Sequence, residues 1–144
     1  FGKIDDSETI IKKYSEETRG RIHHGGMVSF LQGQESLQNA DILISIGNRD
    51  SDMVPSKTFE YMSYCKPIIH LYIFKEDPVI PTLNQYPNAL LLDANESVQT
   101  LVEQTKAFLD KYSKISVDPK MIRELFYEST PEFSIDLIEE FFTL

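Results

Sequence analysis

Apolar positions along the chain fall into two kinds of pattern, short unbroken runs and longer stretches with helical spacing. The runs Asp41-Ile-Leu-Ile-Ser-Ile-Gly47 and Pro67-Ile-Ile-His-Leu-Tyr-Ile73 are rich in β-branched residues. Each predicts a strand buried on both faces, as in parallel sheets. Between them, Asp52 to Pro67 reads as a loop turning into a helix. Pro55 fits the first helical position, and Pro67 forces the preceding Lys66 out of the α region. The result is a strand–loop–helix–strand unit with a helix N-terminus at the carboxyl edge of a sheet, where α/β proteins usually bind ligands.

The flanking segments extend the alternation. Phe1 to Ile4 reads as the end of a strand, and Asp6 or Ser7 as the cap of a helix to about Glu17 with Ile10, Ile11 and Tyr14 at helical spacing. Arg21 to His24 reads as a short strand ended by a turn at Gly25-Gly26. Ser29 with Gln32 forms a capping-box pattern that opens a helix toward Ala40, with Phe30, Leu31 and Leu37 inward. After the central unit come a short helix near Ile80 to Tyr86 and a strand from Ala89 to Asp93. A long helix follows, capped by Asn95, with Val98, Leu101, Val102, Thr105, Phe108, Leu109 and Tyr112 on one stripe. Two further helices, Lys120 to Glu128 and Ser134 to Phe142, are split by Pro131. The expected fold class is α/β, a Rossmann-like three-layer α/β/α arrangement with a mostly parallel sheet.

Composition narrows the class without naming a function. The chain has 144 residues, enough for one domain over 1–144 that buries roughly 70% of its unfolded surface. No apolar run approaches the ~20 residues of a membrane helix, so direct membrane insertion is not expected. A single cysteine excludes an internal disulfide framework and fits a reducing, cytoplasmic compartment. The net charge of -9 argues against non-specific nucleic-acid binding, so any attraction for an anion must be local.

Local positive character is available at Val54, Pro55, Ser56 and Lys57. Free N–H groups and the helix dipole favour an anion there, and Ser56 and Lys57 add a hydroxyl and a mobile cation. From these four residues alone a capped helix with a solvated lysine is the better explanation of the pattern. Glu60 lies about one turn further on, where its carboxylate can accept from the two hydroxyls of a ribose or remain a surface glutamate. Asp50 and Asp52 after a strand could hold a divalent ion, but aspartates there are commonly turn formers, and the basic helix start can hold a diphosphate without metal. His23 and His24, adjacent on a strand, would point to opposite faces and form no common site. Cys65, at a helix C-terminus, reads as packing, because the dipole there disfavours thiolate. His70, inside an apolar strand, reads as a core histidine with its polar atoms satisfied.

The spacing from Asp52 to Glu60, with PSK between and EYMSYCKPII at its end, resembles the donor-nucleotide motif of retaining GT-B glycosyltransferases of the family 4 type, glycosyl transferases group 1. GGMV and LQNADILISIGN upstream resemble that family's glycine turn, helix and strand, and the likeness runs to about Tyr112. The resemblance implies the C-terminal, donor-binding half of an enzyme moving a hexosyl group from a nucleoside diphosphate sugar to a glycan or lipid-linked acceptor, in bacterial surface polysaccharide synthesis. It implies that Glu60 binds the ribose hydroxyls and that Asp52 touches the transferred sugar. It also implies that Met53 and Val54, with Ser56 and Lys57, hold the diphosphate, while Met27 and Val28 line the base pocket. No metal or other cofactor is implied. The acceptor site, an Arg and Lys pair and any membrane association would belong to a preceding N-terminal domain, on which helices within 115–144 would pack. Cys65 stands where the family has glycine. A GT-B-type sugar-nucleotide epimerase and a non-catalytic flavodoxin- or receiver-like module are the alternatives.

Overall fold

The computed structural model describes residues 2–3, 7–47, 53–112 and 115–143, and the chain forms two compact units, Phe1–Asn39 and Ala40–Leu144. The first unit holds α1 (Glu8–Glu17) and α2 (Phe30–Asn39). The capping box opening α2 is reciprocal. Ser29 N–H donates to Gln32 Oε1 at 2.9 Å, and Gln32 N–H donates to Ser29 Oγ at 3.3 Å. Two expectations fail here. Arg21 to His24 and the described residues of the opening segment, Gly2 and Lys3, form no strand. Phe30 and Leu31, expected inward, are both exposed, and only Leu37 is half-buried.

The second unit contains a three-stranded parallel sheet among the described residues, in the order β1 (Leu43–Ile46), β2 (Ile68–Tyr72), β3 (Ala89–Asp93). Leu43 pairs with Ile68 and Ser45 with His70, and Ile68 pairs in turn with Ala89. Between the strands run α3 (Ser56–Ser63) and α4 (Val79–Leu83). The chain then continues through α5 (Val98–Tyr112) and α6 (Pro119–Leu125) to α7 (Pro131–Thr143). The fold class is therefore α/β. Among the described residues no helix is long and apolar enough to cross a membrane.

Alternation along the strands sorts residues to two faces. On one face Ile69 and Leu92 meet Phe108 of α5, with Leu71, Leu90, Leu101, Leu109 and Tyr112 packed around them. The opposite face carries Ser45 and His70. β1 departs from the expected double burial. Only Leu43 is buried, whereas Ile44 and Ile46 are exposed, because β1 is an edge strand of this sheet and α5 packs on β2 and β3. The long helix also begins later than expected. Ser97 Oγ accepts from Thr100 N–H at 3.1 Å and caps it, while Asn95 turns back to Asp93 and to the Ile73 carbonyl. Val98 and Val102 consequently face outward and the inward stripe runs from Leu101 to Tyr112.

Candidate functional site

Two connections, from β1 to α3 and from β2 to α4, build one corner of the second unit. β1 ends at Ile46 and leads into Gly47; α3 starts at Ser56; and β2 leads through Asp77 into α4. Pro55 has an extended ψ of 137° and acts as the cap residue just before α3, one position earlier than the sequence suggested. Pro55 offers no side-chain cap, and among the described residues no side chain accepts from the first N–H groups of α3, of which Thr58 N–H donates to the Pro55 carbonyl at 2.9 Å. Beside it lies a cavity of about 340 Å³ lined by Ser45, Pro55, Lys57, Thr58, Tyr61 and Val79, with the exposed isoleucines of β1 at its edge. The cavity runs along the edge strand β1 beside the first turns of α3.

Lys57 and Glu60 occupy neighbouring positions one turn apart, and the Lys57 ammonium donates to Glu60 Oε2 at 2.7 Å. The same ammonium lies 5.7 Å from the Tyr61 ring centroid. Lys57 lines the cavity; Glu60 reaches it through Lys57 and does not line it directly. Ser56 and Met53 are exposed and Val54 is half-buried at the approach to α3. Asp50 and Asp52 lie outside the described residues. Met27 is exposed and Val28 half-buried, both in the first unit. Among the described residues no group of three or more His, Cys, Asp or Glu side chains is arranged to hold a metal ion.

The sheet face behind the cavity holds a polar chain. His70 is fully buried, with Nδ1 3.1 Å from Ser45 Oγ and Nε2 3.3 Å from Asp77 Oδ2. Asp77, itself buried, accepts from the Val79 N–H at 2.8 Å through its other oxygen and so orders the entry to α4. Burial pushes the His70 pKa down, against the opposing pull of the Asp77 carboxylate. Gly47 is part of the same construction: a Cβ there would meet Asp77 Oδ2 at 2.3 Å and the Tyr72 backbone at 3.2 Å. Glycine is needed at this point for close approach, since that separation leaves no room for a methyl group. Sequence reading found the satisfied histidine but not its partners. The available signal was Ser and His at aligned positions of consecutive strands, followed by an aspartate just before α4.

Other candidates resolve differently. Cys65 adopts a left-handed conformation, φ 54°, at the end of α3, where glycine is easiest to accommodate. Burial and the charge of Asp118 push its thiol pKa up, which disfavours a nucleophilic role. His23 and His24, expected to diverge, both line a cavity in the first unit with Glu8, Lys12 and Glu16, because the segment is not a strand and side-chain alternation does not apply. A third cavity, of about 310 Å³, lies among Phe59, Met62, Ile122 and Phe126, with the Arg123–Glu132 ion pair at its side. Against known proteins, the chain matches no family model, and neither a curated protein nor a solved structure matches it significantly.

Proposed function

We propose that the second unit binds a nucleoside diphosphate sugar and serves as the donor-binding part of a GT-B-type hexosyltransferase. The observation that carries this reading is the cavity of about 340 Å³ where an uncapped helix start and Lys57 meet a sheet edge. Such a helix start offers N–H donors and the positive end of a dipole to a diphosphate. Glu60, held on Lys57, is placed to change partners and accept from ribose hydroxyls when an anion takes the ammonium. The sequential order β1-β2-β3, all parallel, is that of one arm of a doubly wound sheet and supports the same class. The acceptor, a glycan or a lipid-linked glycan, would be held by a further domain.

Calorimetry with UDP, GDP and ADP and their hexose conjugates tests the reading. At least one pair is expected to bind, and binding is expected to survive EDTA. Lys57→Ala and Glu60→Ala each remove a charge-assisted hydrogen bond of about 1.5–3 kcal/mol, a loss of roughly 10- to 100-fold in affinity. Folded variants that bind every nucleotide as tightly as the parent would sink the assignment. A strict need for Mg²⁺ or Mn²⁺, abolished by Asp52→Ala, would move the diphosphate to the acidic loop instead.

A further inference from the structure

We infer that Ser45 presents only a hydrogen-bond acceptor to the cavity, and therefore that the hydroxyl-bearing sugar of the ligand, not its diphosphate, lies against β1. This inference rests on the nucleotide-sugar reading for the ligand but draws its polarity from the buried chain Ser45–His70–Asp77.

The direction of each proton follows from the partner at the far end. Both Asp77 oxygens are engaged, Oδ1 by the Val79 N–H and Oδ2 by His70 Nε2. An ionised carboxylate can only accept, so Nε2 must carry the ring proton. A neutral imidazole has one N–H, and burial keeps this ring neutral. Nδ1 is then left with a lone pair, and the group 3.1 Å from it, Ser45 Oγ, must donate. A serine hydroxyl has a single proton. With that proton committed to His70, the hydroxyl has only lone pairs left to offer the cavity that Ser45 lines.

The consequence is discrimination within one ligand. A phosphoryl oxygen, itself an acceptor, is repelled by Ser45 and attracted by Lys57 and the start of α3, whereas a sugar hydroxyl can donate to Ser45. The two ends of the cavity thus fix which way a nucleotide sugar enters. A nucleophilic role for Ser45 does not follow from the same triad, because His70 is fully enclosed and has no route by which to pass a proton to a leaving group.

Two measurements on the full chain test this. Nitrogen-15 NMR of the unmodified protein should find His70 with protonated Nε2 and bare Nδ1; a protonated Nδ1 overturns the inference whatever the ligand. Calorimetry of Ser45→Ala, with folding checked by thermal unfolding, should find UDP, GDP or ADP bound as by the parent. The matching UDP-glucose, GDP-mannose or ADP-glucose should weaken roughly 3- to 10-fold, as for loss of one neutral hydrogen bond. Equal weakening of diphosphate and sugar conjugate, or none of either, overturns the orientation. A parent that binds none of the six overturns the nucleotide-sugar reading and this choice of ligand, while the ring nitrogens still decide the polarity of Ser45.

Discussion

Cys65 shows how a single residue can depart from a local rule and remain folded. Its φ of 54° is strained for any L-residue by about 1–2 kcal/mol, yet its N–H still closes the end of α3 on the Met62 carbonyl at 2.9 Å. Cys65→Gly relieves the strain but gives the unfolded chain more freedom, an opposing effect of about 0.5–1 kcal/mol. The expected net outcome is a rise in the chemical unfolding midpoint, with a gain below about 1 kcal/mol. Cys65→Ala, which keeps the strain, is expected to give no such gain, and a Gly variant no more stable than the Ala variant would contradict the argument. This position was legible beforehand, because a helix running into Lys66-Pro67 has to turn within one residue. The Ser45–His70–Asp77 chain was not, because its members join only once the register of β1 on β2 is set.

At the scale of elements, what could be read was whatever depends on neighbours in sequence. β3, the α2 capping box and the span of α1 lie where local chemistry puts them, although the expected Ser7 cap of α1 forms no side-chain hydrogen bond. The burial errors share one cause, hydrophobicity taken alone. Ile44, Ile46, Phe30 and Leu31 are as apolar as any core residue, but whether a neighbour covers them is settled by topology, not by spacing. α5 gives the contrasting case, in which one ring anchors the whole element. Phe108 is buried against Ile69 and Leu92 and stacks on Tyr112 at 5.2 Å. Phe108→Ala is expected to destabilise the second unit by about 3–5 kcal/mol. Val102→Ala on the exposed side should change stability by no more than about 0.5 kcal/mol. Similar losses for the two variants in urea unfolding would mean that the inward stripe has been misplaced.

For the molecule as a whole, acid is the condition that reaches the core first. His70 has its pKa lowered in the fold, so near and below its ordinary value of 6.5 the unfolded chain binds more protons than the native one. Its contribution is fully present above that value and is lost as pH falls from there toward the folded pKa. The groups facing it are Asp77 from the loop before α4, Ser45 from β1 and the Tyr72 ring stacked 6.3 Å away. Asp93 acts further down. Hydrogen bonds from Asn95 lower its pKa below 3.8, so its contribution is lost only as pH falls below that value. Urea unfolding midpoints measured from about pH 8 to about pH 5 should therefore begin to decline near the histidine range rather than the carboxylate range. A midpoint that stays level to about pH 5 would contradict a neutral, buried His70.

The contact between Lys57 and Glu60 has a consequence for selectivity. The cation at the mouth of the cavity arrives with its own counter-ion, 2.7 Å away on the same helix. An incoming anion therefore enters an exchange, in which it must outbid a tethered carboxylate rather than neutralise a bare ammonium. A monovalent ion such as chloride offers the lysine nothing that Glu60 does not already supply. Under the proposed nucleotide-sugar reading, a diphosphate would bring more charge than it displaces and would free the glutamate for hydroxyl groups in the same ligand. The pair would then work as a valence threshold, favouring a ligand that is both multiply charged and rich in hydroxyls.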